Sequence, residues 1–120
     1  MKRTAKEIGN TGEKLVAEYL RKKGFVISCM NYRSRFGEID VIAENDEYIL
    51  FVEVKTRSLN SAKFARAKDN VDYNKRQRII ATAEYYILNN GVILTPRFDV
   101  AEVYVGGSMS INYIEDAFGV

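Results

Sequence analysis

The sequence predicts one α/β domain, a mixed β-sheet flanked by helices in the order helix, three strands, helix, two strands (αβββαββ). Three observations carry this. Two segments keep a helical apolar stripe and end at a glycine, Gly24 and Gly91. Between them, two apolar runs joined by a short polar turn have the pattern of a hairpin. Beyond Gly91 the apolar residues recur with a period of two. A length of 120 residues with 47% hydrophobic composition is enough for one core, so residues 1–120 are expected to form one domain.

The first helix is expected from about Thr4 to Lys23, with Thr4 and Glu7 as a capping box and Ile8, Leu15, Val16, Tyr19 and Leu20 as its stripe. Gly9, Gly12, Glu13, Val16 and Leu20 share one side. Glycine costs helix propensity, so a close approach by another backbone or a ligand would explain its presence. Glu13 then points near the packed face, or else pairs with Lys14 or Arg21 in solvent. Phe25 to Cys29 reads as a short buried strand and Asn31 to Gly37 as a loop. In that loop Arg33 and Arg35 alternate with aromatics, which suits phosphate contact and base stacking as well as a solvated connection.

After the hairpin the chain turns polar from Ser58 to Asp72 with no clear apolar period, which reads as a mobile lid or as an irregular segment with or without some helix. A second helix follows from about Lys75 to Leu88, buried along Ile79, Ile80, Ala83, Tyr86 and Ile87 and stopped by Asn89-Asn90-Gly91. Its first turn carries Lys75, Arg76 and Arg78 against the helix dipole. Such a placement suits an anionic partner such as a DNA phosphate, or a solvated face. Strands at Arg97–Tyr104 and Ser110–Ile114, joined through Gly106-Gly107-Ser108, complete the order. Asp99 either holds Arg97 or Lys55 or faces water.

Composition narrows the chemistry. A formal net charge of +2 is too small to establish a nucleic-acid partner without clustering. The chain has no histidine, which excludes His-based acid–base catalysis, Ser–His pairs and the usual zinc sites and leaves carboxylates and lysine. The single Cys29 reads as a core thiol. No signal peptide or membrane-length apolar run is evident, so a cytoplasmic protein is expected.

The hairpin itself, Gly37–Ala43 and Tyr48–Lys55, holds the candidate chemistry. Alternation puts Glu53 and Lys55 on the face of Ile49 and Phe51, opposite Tyr48, Leu50, Val52 and Val54. A two-residue turn at Asn45-Asp46 or Asp46-Glu47 sets Glu38 and Asp40 across from Phe51, Glu53 or Lys55. Three carboxylates and an ammonium would then converge. The ordinary outcome is a solvated cross-strand ion pair. Yet the second strand is apolar enough to be central, where an unpartnered carboxylate is costly and clustered acids repel unless a cation lies between them. Oxygen ligands of this type suit Mg2+ or Mn2+, which hold phosphate and activate water, with Lys55 orienting that water.

Asp40, twelve intervening residues and Glu53-Val54-Lys55 resemble the D-x(n)-E-x-K signature of the PD-(D/E)xK nuclease superfamily. Gly12-Glu13, Tyr19-Leu20, Gly24, Asn31-Tyr32-Arg33, Gly37 to Ala43, Phe51 to Arg57, Arg97 to Val100 and Ala117-Phe118 together resemble the bacterial YraN-like family, which is endonuclease-like. The resemblance covers nearly the whole chain and departs from the family at Ser58 to Lys63, where a loop with Gly and Pro is expected. It implies a restriction-endonuclease-like core, as in archaeal Holliday-junction resolvases, with Glu13, Asp40, Glu53 and Lys55 as the site. On that basis the expected ligands of Mg2+ or Mn2+ are Asp40, Glu53, the Val54 carbonyl and Glu13, with Glu38 at the edge. Arg33, Arg35, Lys75 and Arg78 are the expected nucleic-acid contacts. The expected activity is a DNA endonuclease of repair or recombination, and a homodimer would let it reach two strands. Two alternatives stand beside it: a non-catalytic nucleic-acid-binding or assembly protein with a vestigial site, and a hydrolase of small phosphoesters.

Overall fold

The computed structural model describes residues 5–58, 72–106 and 108–119. Its order is α1 (Ala5–Lys22), β1 (Val26–Ser34), β2 (Gly37–Glu44), β3 (Tyr48–Ser58), α2 (Tyr73–Asn90), β4 (Thr95–Val105) and β5 (Ser110–Phe118). This is the expected αβββαββ α/β fold. Thr4 of the expected capping box, positions 59–71 of the expected polar segment and Gly107 of the last turn lie outside the described residues. Among the described residues no helix is long and apolar enough to cross a membrane.

The strands lie side by side in chain order, antiparallel except for the parallel pair β3–β4. The parallel pair requires a crossover, which α2 supplies. Strand β3 is central because it is apolar on both faces. Leu50 and Val52 pack with Val16 and Leu20 of α1, while Ile49 and Phe51 pack with Ile79, Ile80 and Ala83 of α2. Of the two turns open to the hairpin, Asp46-Glu47 forms: the Asn45 amide donates to the Tyr48 carbonyl at 3.0 Å. The Asn45 carboxamide oxygen accepts from the Glu47 and Tyr48 amides at 2.9 and 2.7 Å, which fixes the register.

Three elements differ from expectation. Strand β1 does not stop at Cys29 but runs to Ser34, leaving only Arg35 and Phe36 as the turn into β2. The polar residues read as a loop are carried as strand because each finds a partner on β2, including Tyr32 with Ile39 and Arg33 with Glu38. Helix α2 starts at Tyr73, two residues early, because Asp72 caps it and accepts from the Lys75 amide at 2.8 Å. Strand β5 continues past Ile114 to Phe118, which stacks on Phe98 at 5.2 Å and closes the α2-side core. Cys29 packs at the margin of that core, as expected.

That last extension depends on Asp99, which is 0% exposed. It faces neither water nor Lys55. Its carboxylate accepts from Arg97 Nε at 3.0 Å and Nη2 at 3.0 Å, from the Tyr113 hydroxyl at 2.7 Å and from the Asp116 amide at 2.9 Å. The register slips between Phe98 and Val100, and Asp116 adopts φ 51°. A fully satisfied buried carboxylate thus pins an irregular strand. Replacing it by Asp99→Ala is expected to cost about 3–5 kcal/mol, since Arg97 and Tyr113 lose their acceptor. Chemical denaturation of the variant checks this, and Asp99→Asn should lose less.

Candidate active site

Strands β2 and β3 pair from Glu44↔Ile49 to Val41↔Val52 and then part. The next two pairs of that register would be Asp40↔Glu53 and Ile39↔Val54. Instead the Asp40 carboxylate accepts the Val54 amide at 2.8 Å. The cause lies one strand away. Asn31, between the pairs Met30↔Val41 and Tyr32↔Ile39, has φ 54°, a left-handed conformation that Asn tolerates. Met30 and Val41 contact the α1-side core, whereas Tyr32 and Ile39 contact the α2-side core. Residues two apart in a regular strand share a face. The β1–β2 ribbon therefore changes face at Asn31 and Asp40, which frees the Asp40 side chain to take a main-chain role.

Glu53, 8% exposed, stands beside it on the α2 face of β3. One of its oxygens meets both Lys55 Nζ at 3.3 Å and Lys75 Nζ at 2.7 Å. Lys75 gets there because the Asp72 cap fixes the start of α2 over this end of the sheet. The anionic partner inferred for the first turn of α2 thus includes a carboxylate of the chain itself. Arg78, one turn on, lines the same cleft as Glu38, Asp40, Glu53 and Lys75.

Glu13 approaches from α1 and hydrogen-bonds Asn31, not solvent-side lysine or arginine. Gly12 makes this possible: a Cβ there would lie 2.0 Å from Thr56 Oγ1. The close approach expected of the helix glycines is therefore to a side chain of β3. Glu38 turns aside to Arg33 at 3.4 Å, an exposed pair at the cleft edge. Arg35 lies in the adjacent β1–β2 turn.

The charges are held under tension. Burial first, and the Glu53 charge second, push the Asp40 carboxyl up to about 7 despite the Val54 amide, with Glu13 and Glu38 adding to the rise. Glu13 is raised by burial and by the Glu38 and Glu53 charges, against its bond to Asn31. Burial and the neighbouring Lys75 lower Lys55. Burial opposes the charge on Lys75 as well, but its bonds to Glu53 and Lys55 outweigh this and raise it.

The structure therefore gathers Asp40, Glu53, Lys55 and Lys75 closely, places Arg78 beside them, and brings Glu13 up from the other face. Val54 enters through its amide. Among the described residues no three acidic or thiol side chains form a ready cage for a metal ion. The Asp40–Glu53 pair still has the chemistry of a Mg2+ or Mn2+ site, since such ions usually take one or two carboxylates and complete their shell with water and phosphate oxygens. Sequence reasoning gave no role to Asn31 and missed the Lys75–Glu53 contact. A lone Asn between strand residues was a faint signal for the first, and only tertiary docking produces the second.

The model of "Uncharacterised protein family UPF0102" matches residues 12–103. The chain belongs to the UPF0102 family. A UPF0102 protein of Clostridioides difficile is 47% identical over 114 residues, covering 94% of this chain and 97% of its own. One from Alkaliphilus metalliredigens is 43% identical, covering 95% and 99%. One from Clostridium acetobutylicum is 40% identical over the full length of both chains. The matched region contains Glu13, Asp40, Glu53, Lys55, Lys75 and Arg78.

The pH dependence of stability follows from Asp40. Its folded-state pKa of about 7 lies above the ordinary 3.8, so the folded chain binds more protons between those values. Stability from this group is present in acid and lost as pH rises toward 7. Asp40→Asn keeps an acceptor for Val54 and removes the charge. It is expected to melt above wild type at pH 8, by an amount of order 2 kcal/mol, with the difference vanishing near pH 4. Thermal melts of both proteins across pH 4–8 check this.

Proposed function

We propose that this UPF0102 protein is a divalent-metal-dependent phosphodiesterase that cuts DNA internally. The observation that carries the reading is the set Asp40, Glu53 and Lys55 at the point where β2 leaves β3, with Lys75 and Arg78 on the facing helix. It supports from geometry the same residues that the resemblance to PD-(D/E)xK nucleases implies.

Asp40 and Glu53, with the Val54 carbonyl, would hold Mg2+ or Mn2+, and Glu13 would support that shell or a second ion. When bound, such an ion supplies Lewis acidity toward the phosphate and lowers the pKa of its water. The rest falls to the protein. Asp40, whose carboxyl is raised by burial and by Glu53, would give up its extra proton on holding such an ion. Lys55, whose pKa is lowered by burial and by Lys75, holds the attacking water in line. Lys75 and Arg78, at the start of α2, bind the non-bridging phosphate oxygens, aided by the helix amides. Arg33 and Arg35 engage the backbone further along. The protein would work in the cytoplasm, and a homodimer would bring two such sites to paired strands.

A second reading is favoured by one observation. Both lysines already pair with Glu53, so this carboxylate is satisfied within the chain, as suits a binding module with a vestigial site. A hydrolase of small phosphoesters has less support, since it gives no role to the exposed cations Arg33 on β1 and Arg35 in the β1–β2 turn.

Labelled single-stranded, duplex and branched DNA, incubated with Mg2+, Mn2+ or EDTA, separates these readings. Cleavage that requires the metal and falls at least about a hundredfold in Glu53→Ala and Lys55→Ala is expected. Asp40→Ala should lose cleavage yet bind DNA as well as wild type or better, because a negative charge is gone. Salt-sensitive binding with no cleavage under any metal would support the binding module instead.

A further inference from the structure

We infer that the exposed Phe36–Tyr85 pair beside the cleft is a stacking platform for an unpaired nucleobase, so that the preferred nucleic acid has single-stranded character near the site. The inference rests on the nucleic-acid reading above and adds a substrate class to it. Phe36, in the β1–β2 turn, is 37% exposed and Tyr85 of α2 is 41% exposed. Their rings meet at 5.7 Å and 60°. An edge-to-face contact that ties a turn to a helix explains why the edges touch. It does not require two large aromatics to keep so much surface in water. The other aromatics of this region behave differently: Tyr32 and Tyr86 pack on each other within the α2-side core.

Position and charge identify the occupant. Phe36 precedes Gly37, which lines the cleft and against which a Cβ would meet Thr82 Oγ1 at 3.2 Å and Arg78 Cβ at 3.4 Å. Tyr85 follows Arg78 and Thr82 at helical spacings of seven and three, so the platform continues the cleft wall. The Arg35 guanidinium lies 4.9 Å from the Phe36 ring centroid, and the exposed Arg33 stands nearby on β1. Flat apolar faces flanked by guanidinium groups match a base and its adjoining phosphates. A purely apolar partner would make no use of the two guanidinium charges, which within the chain meet only Glu38 and the Phe36 ring among the contacts described. Within a regular duplex both faces of a base are already covered, so only an unpaired base can stack here. Lys75 and Tyr85 are ten residues apart, about 15 Å along the helix. The stacked base is therefore not the one at the scissile phosphate but lies further along the strand.

The chain contains no tryptophan, so Phe36→Trp installs a single fluorophore on the platform. Its emission is measured in EDTA, without turnover, against a single-stranded oligonucleotide, a blunt duplex of equal length and an abasic strand of equal charge. Strong quenching by the single strand alone is expected. Anisotropy with wild type should show the single strand binding at least about fivefold tighter than the duplex. Tyr85→Leu and Phe36→Leu should erase that preference while leaving the salt dependence unchanged, because no phosphate contact is lost. Equal quenching by the abasic strand, or a preference that survives both leucine variants, overturns the platform and leaves the nucleic-acid reading standing. Absence of binding to every nucleic acid overturns both.

Discussion

Two carboxylates held close together in a partly dry place are the constraint on which the rest of this structure depends. Asp40 is fixed by the Val54 amide and Glu53 by its position on the central strand, so neither can swing away from the other. A like charge a few ångströms away costs about 3–4 kcal/mol at an effective dielectric near 20. A hydrogen bond to a charged acceptor returns about 1.5–3 kcal/mol. Burial, the largest contribution, adds to the first side, which is why the Asp40 carboxyl rises to about 7. The surrounding cations follow from the same balance. Lys55 and Lys75 both turn to Glu53, and α2 begins where it must for Lys75 to reach.

The β1–β2 ribbon that creates this situation departs from regular pairing twice, in a register shift between Ile27 and Cys29 and in the change of face at Asn31 and Asp40. A central strand apolar on both faces, sandwiched by α1 and α2, leaves no freedom of register. The ribbon can therefore change face at Asn31 and Asp40 without the sheet slipping. Gly12 brings α1 within reach of Thr56, and Glu13 then hydrogen-bonds the residue that makes the irregularity. Far from the site, Asp99 performs a comparable service for β5, where a buried carboxylate substitutes for regular pairing. In both cases an acidic side chain takes over main-chain hydrogen bonding at a defect, but only at Asp40 does a second acid stand beside it in a cleft.

How much of this was legible in the chain depends on the range of the interaction. The apolar run of β3, the Asp46-Glu47 turn and the Gly91 stop are local signals, and from the turn alone Asp40 falls opposite Glu53. The second half of β1 was hidden because its polar residues are strand only by virtue of β2. The reach of Lys75 to Glu53 was invisible for a similar reason: the two are joined by docking of α2, not by spacing. Alternation alone puts Glu38 on the face of Asp40 and Glu53, and the edge position that the resemblance implied is the one it holds, drawn outward by Arg33. The extension of β5 to Phe118 escaped notice because a bulge at Asp116 breaks the period that marks a strand.

The most direct test of a repelling carboxylate pair that awaits a cation is the carboxyl 13C titration of Asp40 by NMR, with and without Mg2+. A midpoint near 7 that falls to the ordinary carboxylate range or below when Mg2+ is added is the expected result. A midpoint near 4 that does not respond to Mg2+ would contradict it, since neither the repulsion nor the cation site would then exist.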